Sequence, residues 1–310
     1  MSLVDPDWAA NRVTGGLSST EGLINEVRDQ DAPTDKRLQI VQGEFASVLR
    51  VMGRDGNTLS ATLRDAWDNG NLRTMVKTAP ARATNAHISL VGHITRPELL
   101  RYLSETESVN GFANRLLFVC VKRSKCLPEG GDVTELELER LAAEIRAVDD
   151  WARRTGSDLV FQRDADARDL WRTVYPALSE GQPGLLGAAT GRAESQVLRL
   201  SAIYAALDES SVVRVEHLMA ALAVWDYCLI SARYIFGDAV GDAVADRIRD
   251  ALGSAGKTGL TRTEIRDLFK RNVSSDRIEQ ALHVLSAFGM ATCRTSDSGG
   301  RPAEVWIGTT

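Results

Sequence analysis

The chain has 310 residues, 44% hydrophobic and 25% charged, with a formal net charge of −5. That length accommodates about two domains of ~150 residues, and the composition excludes a disordered, collagen-like or disulfide-stapled protein. Four cysteines (Cys120, Cys126, Cys228, Cys293) form no C-x-x-C pair, which excludes a zinc knuckle or a dithiol motif and reads as buried thiols in a reducing compartment.

No run approaches the ~18 uninterrupted apolar residues of a membrane span, and no basic-then-apolar leader opens the chain. A cytoplasmic protein without a membrane partner is expected. The charge is uneven. Residues 244–310 hold ten Lys/Arg against eight Asp/Glu, whereas the residues before them hold 27 against 34. A weakly basic tail on an acidic body permits DNA contact by one module without requiring it.

In chain order, residues 21–28 are amphipathic, and residues 38–41 read as a buried strand interrupted by Gln39. Phe45, Val48, Leu49 and Met52 have helical spacing, and Gly53, Gly56 and Asn57 then break the chain. Residues 59–67 form a further helix candidate. Residues 87–94 and 116–121 are β-rich runs separated by a helix that Pro97 opens. Strands alternating with helices predict an α/β fold with a parallel sheet.

After a linker around Pro128, Gly130 and Gly131 the pattern becomes helical. Leu141, Ile145 and Val148 mark one helix, residues 167–178 a second and residues 193–207 a third. Residues 215–236 are apolar enough for a buried helix, with Trp225, Tyr227 and Tyr234 in the core.

The last seventy residues differ. A helix over 243–252 ends at Gly253, and Thr261 with Glu264 makes a capping box. Ser274 and Ser275 cap a third helix, bearing Ile278, Ala281, Leu282, Leu285 and Phe288, that stops at Gly289. Two β-prone runs, 290–295 and 304–307, follow around a turn at 296–300. Three helices and a hairpin predict a winged helix-turn-helix. The expected domains are 1–127, 128–240 and 241–310.

Gly256-Lys257-Thr258 imitates the end of a phosphate-binding loop, but the first glycine of that motif would fall on Ala251, within a helix. The motif needs a strand feeding a glycine loop, so this segment reads as a polar turn.

Three runs carry a resemblance: GLSSTEGLI (16–24), GNTLSATLRDAWDNG (56–70) and NGFANRLL (110–117). Together, over about residues 4–236, they resemble a family of uncharacterised domains in bacterial, phage and plasmid replication proteins. Those proteins pair a primase–polymerase module with a RecA-like, helicase-type ATPase. The resemblance implies a RecA-like core acting with ATP and Mg²⁺, self-association into rings, and DNA as partner.

Carried over by residue, an acidic group is implied at the end of strand 38–41. The family's acids at the positions of Gln42 or Gly43 are replaced here, which leaves Glu44 either as a catalytic or metal-facing carboxylate or as a helix N-terminal charge. His93 stands where RecA-like proteins sense the γ-phosphate, or is simply hydrogen-bonded. His87 and His93 lie about 20 Å apart along one strand, too far for one metal.

Arg115 is implied as a finger reaching a neighbouring subunit's phosphate, or as a junction arginine bonded to carbonyls. Arg192 and Arg199 flank a helix where a lid arginine would touch phosphate, or where an arginine pairs with a carboxylate. In the last domain Arg277 and Gln280 suit base edges, opposed by Asp276 and Glu279, and Arg294 and Arg301 suit a wing contact. DNA binding and protein packing both remain open for this domain.

No glycine-rich phosphate loop occurs anywhere in the chain, and only 37 residues precede Leu38. The expected protein is an incomplete RecA-like core, a helical region and a winged helix: a DNA-associated, C-terminal portion of a mobile-element replication helicase. It is expected to hydrolyse no ATP and hold no cofactor alone, and to act in a ring or with a subunit that carries a P-loop. The alternative is a non-enzymatic DNA-binding or regulatory protein that uses its core as an assembly platform. A hydrolase with another site has no Ser/His/Asp or Cys/His arrangement behind it.

Overall fold

A computed structural model describes residues 1–31, 35–75, 80–103, 107, 110–156, 159–182, 184–237, 242–296 and 303–309. The protein is mixed α/β and divides into two compact units, Met1–Glu180 with Ala189–Ile235, and Gly181–Ala188 with Phe236–Thr310.

In the first unit, α1 (Pro6–Arg12) is capped by Asp5, whose carboxylate accepts from Trp8 N–H at 2.9 Å. It leads into β1 (Val13–Thr14), and Ser19 caps α2 (Thr20–Glu26). β2 (Arg37–Gln42) buries Leu38 and Ile40 on one face, the period-2 pattern of a half-buried strand. α3 (Phe45–Met52) and α4 (Leu59–Asp68) follow, then a two-stranded antiparallel pair of β3 (Leu72–Thr74) and β4 (Ala81–Ala83).

β5 (His87–Gly92) completes a parallel sheet of order β1-β2-β5, in register from Arg37↔His87 to Gln42↔Gly92. Parallel neighbours need a crossover, which α3 and α4 supply. Gly70 makes the return possible. Its φ is +68°, and a Cβ there would meet Ala86 O at 2.3 Å, so neither the conformation nor the space admits a side chain. α5 (Arg96–Tyr102) has Pro97 in its first turn, as expected.

Residues 116–121 do not form the expected strand. The backbone at Leu116 is extended, but no ladder includes the run among the described residues. Instead Cys120 N–H donates to Ser231 Oγ at 3.1 Å, and Cys120 O accepts from Tyr227 Oη.

Thr134 and Glu137 form a full capping box on α6 (Glu135–Thr155). Its predicted face is poorly covered: Leu141 and Ile145 are exposed and Ala142 is buried. α8 (Gly184–Thr190) has its residues up to Ala188 in the second unit, while β6 (Gln162–Arg163) pairs with β7 (Val212–Val213) around α7 (Ala165–Ser179) and α9 (Ala193–Leu207) in the first. Trp171, Val197, Leu218, Ala221 and Trp225 form the core under these helices.

α10 (Val215–Phe236) is long and apolar enough to cross a membrane by length and composition, with mean hydropathy 1.3 over its best window. Leu218, Ala221, Trp225, Cys228, Ala232 and Ile235 are buried along one face. The expected buried helix holds for this face, Trp225 included, and is corrected on the other, where Met219, Ile230 and the expected core residues Tyr227 and Tyr234 are at least half exposed. The cysteine expectation is corrected too: Cys228 is buried, whereas Cys126 and Cys293 are exposed.

The second unit holds α11 (Ala243–Ala255), β8 (Leu260–Thr261), α12 (Arg262–Leu268), α13 (Ser275–Ala287), β9 (Ala291–Ser296) and β10 (Ala303–Gly308). The strands make an antiparallel sheet of order β8-β10-β9. Thr261 and Glu264 form the predicted capping box, and Ser274 Oγ caps α13 by accepting from Arg277 N–H. Ile248, Leu252, Ile265, Ile278, Leu282 and Leu285 share its core. Gly256-Lys257-Thr258 is a short 3-10 turn after α11, as its reading as a polar turn requires.

Candidate functional site

Parallel sheets present their chemistry at the carboxyl ends of their strands. Here β2 and β5 are laced at that end: His93 N–H donates to Gln42 O, and Phe45 N–H to His93 O, both at 2.9 Å. Gln42 Oε1 accepts from the N–H groups of Gly16 (3.0 Å) and Leu17 (3.4 Å), so the side chain in the expected acidic position holds the GLSS loop instead. Glu44 occupies the N-cap of α3 without a side-chain capping bond, and its carboxylate is exposed. His93 is also exposed.

Among the described residues no group of three or more His, Cys, Asp or Glu is placed to hold a metal. At the rim, Gln42 Oε1 is already committed to the Gly16 and Leu17 N–H groups, and Glu44 is a single exposed carboxylate.

A second cluster lies at the C-terminal end of α4, around Trp67 and Asp68. Arg115 closes the 3-10 turn Ala113–Arg115. That turn is positioned by Asn110, whose Oδ1 accepts from Phe112 N–H at 3.0 Å and whose carbonyl accepts from Arg64 Nη1 at 3.0 Å. Only 9% of the Arg115 side chain is exposed. Its Nη2 and Nε donate to Asp68 at 2.6 and 3.3 Å, and its Nη1 donates to Gly111 O. Gly111 has φ +89°, and a Cβ there would stand 2.8 Å from Arg115 Nη1.

Arg192, at the N-cap of α9, reaches the same carboxylate at 3.5 Å. Two turns on, Arg199 donates from Nη2 to Trp67 O at 2.8 Å. The three guanidinium carbons lie 5.5 Å (Arg115), 5.0 Å (Arg192) and 3.5 Å (Arg199) from the Trp67 ring centroid. Cations over an indole face are attracted by its quadrupole.

Three permanent positive charges thus face one carboxylate. Burial works against the Asp68 charge, but the hydrogen bond from Arg115 and the charges of all three arginines outweigh it and hold its pKa below the ordinary 3.8. Burial lowers the Arg199 pKa, Asp68 pulls it up, and Arg192 and Arg115 push it further down. A cluster with surplus positive charge and planar donor forks is chemically suited to an oxyanion such as a phosphoryl group.

Arg115 and Arg192 are therefore brought together, and Arg199 joins them. Glu44 and His93 stand at the sheet rim instead. Sequence reasoning missed Trp67 and Asp68, although both sit inside the run GNTLSATLRDAWDNG that carries the resemblance.

In the second unit Arg277 is committed to Asp242 at 2.7 Å, and the same carboxylate caps α11 by accepting from Val244 and Ala245 N–H. Gln280 and Arg294 are exposed. Asp276 and Glu279 are exposed on α13, Glu279 within 3.4 Å of Arg262. Arg301 lies outside the described residues. Neither a protein-family model nor a curated protein matches this chain, and the resemblance rests on its three motif runs.

Proposed function

We propose that this chain is the DNA-associated portion of a RecA-like replication ATPase of the mobile-element type, and that it does not hydrolyse ATP by itself. The observation that carries this reading is the convergence of Arg115, Arg192 and Arg199 on Trp67 and Asp68. In this reading the cluster serves a phosphate held by the P-loop of a neighbouring subunit in a ring, with Arg115 as the finger. The nucleotide supplies the reacting phosphoryl group, and this chain supplies fixed positive charge where negative charge develops.

The three helices and antiparallel sheet of residues 242–309 are read as a winged helix that recruits duplex DNA through Gln280 and Arg294. Arg277 would have to exchange Asp242 for a base or phosphate to take part.

The test joins this chain to a P-loop segment and measures ATP turnover. Arg115→Ala should abolish turnover and leave the folded fraction intact, whereas retained turnover excludes the finger.

A second reading is a non-enzymatic regulator that keeps the core as an assembly platform, favoured by the use of Gln42 to hold the Gly16–Leu17 loop. It predicts that duplex binding survives deletion of residues 1–241 with an unchanged salt dependence. Binding in a ring channel would be lost.

A further inference from the structure

In the second unit, positive charge gathers at one corner, the turn from α12 into α13. The turn is tightly closed. Phe269 N–H and Arg271 N–H both donate to Arg266 O at 3.2 Å, and Lys270 N–H donates to Asp267 O at 3.0 Å. Arg266, Lys270 and Arg271 are therefore held together by the backbone, and all three are exposed. Lys270 and Arg271 have φ of +50° and +62°, a left-handed conformation that successive non-glycine residues seldom share. A fourth cation arrives from α11. Arg247 is exposed, and its guanidinium carbon lies 5.4 Å from the Phe269 ring centroid.

Internal pairing does not consume this charge. Arg271 Nε lies 3.1 Å from Asp267, whereas Arg247, Arg266 and Lys270 form no ion pair among the described residues. The nearby Glu264 carboxylate is committed to the Thr261 cap. Cations beyond a helix C-terminus offset its dipole, which accounts for those in the turn but not for Arg247, which another helix supplies. Four cations thus surround one carboxylate. The outward side of α13 is the opposite case: Asp276 and Glu279 are exposed there, and Arg277 is held by Asp242.

We infer that this corner is the phosphate grip of the second unit, where Arg247, Arg266, Lys270 and Arg271 take the phosphodiester backbone of duplex DNA without regard to base sequence. The choice of DNA rests on the reading of the function above, to which the corner adds a surface apart from Gln280 and Arg294. Phosphate contacts supply the salt-dependent part of affinity and fix the position of the duplex, whereas base contacts discriminate. Arg271 gives up little on exchanging Asp267 for a phosphate, because both side chains of that pair are more than half exposed. The carboxylates of α13 repel phosphates, so the backbone crosses at the turn and not along that helix.

The test titrates the full chain with fluorescent duplexes of unrelated sequence over a range of salt. Lys270→Gln combined with Arg271→Gln should lower the slope of log affinity against log salt by about 2. Binding should weaken by about tenfold or more at low salt, equally for every sequence. Unchanged far-UV circular dichroism would show that the double variant is folded. Lys270→Arg should keep the slope, and so should Gln280→Ala, which removes no charge. An unchanged slope in the double variant, or a loss confined to one sequence, would overturn the corner.

Inorganic polyphosphate is the second probe, since it offers anionic oxygens without sugar or base. It should compete with the duplex and depend on the same two residues. Polyphosphate binding that needs Lys270 and Arg271, in the absence of any duplex binding, would keep the corner as an oxyanion site and overturn the choice of DNA. Binding of neither probe would overturn the corner itself, so the two failures are distinguishable.

Discussion

Removal of the Asp68 carboxylate is the sharpest perturbation of the arginine cluster. Arg115 is nine-tenths buried and would keep only Gly111 O as a partner, with Arg192 and Arg199 still charged beside it. Breaking a fully buried ion pair costs about 3–5 kcal/mol. Asp68, however, is 37% exposed, and solvent screening reduces its share. Asp68→Ala is therefore expected to destabilise the first unit by about 2 kcal/mol, and Asp68→Asn, which keeps one acceptor, by about 1 kcal/mol.

Urea unfolding followed by tryptophan emission measures this, since five of the six tryptophans lie in the first unit. The pH dependence has a defined sign. A carboxylate held below its ordinary pKa of 3.8 stabilises the fold above that pH and loses the contribution as pH falls through its folded value. The Asp68→Ala deficit should accordingly be full at pH 7 and shrink below about pH 4. A change under about 0.5 kcal/mol at pH 7, the range of an ordinary surface substitution, would refute the view that Asp68 holds Arg115 in place.

Further outcomes are expected elsewhere. Asp29 is paired with Lys36 and also accepts from Thr84 N–H and Oγ, which hold its pKa down at about 2, so a carbon-detected carboxylate titration should show a midpoint near 2. Lys36→Met should return that midpoint toward 3.8. Gly70→Ala places a Cβ 2.3 Å from Ala86 O at φ +68° and should lower stability in urea by about 2 kcal/mol or more. If the second unit binds duplex DNA, Arg294→Ala should reduce the slope of log affinity against log salt by about 1, and an unchanged slope would remove Arg294 from the interface.

Local signals carried much of the fold. Phe45, Val48, Leu49 and Met52 gave α3 its bounds because one helix face meets the core, and the Thr261–Glu264 capping box needs only four residues to be recognised. The apolar run 38–41 marked β2, though only Leu38 and Ile40 of it are buried and Val41 is exposed. Residues 116–121 were read as a strand because their composition suits one, but a strand also needs a ladder partner, which composition does not disclose. The outer face of α10 escaped because apolar residues encircle that helix, so its sequence does not say which side is covered. The arginine cluster was half legible. Arg115 stood out as a permanent cation in a motif run and Arg192 as one beside a helix start, whereas their shared carboxylate lies 47 and 124 positions away and only the tertiary fold brings Asp68 to them.

The most direct test of the central claim titrates the 310-residue chain with a fluorescent ATP analogue and Mg²⁺, then measures hydrolysis with and without single-stranded DNA. The predicted result is no saturable binding and no turnover by the chain alone. Tight binding with turnover would contradict it, because a nucleotide would then be held and cleaved by residues other than a P-loop.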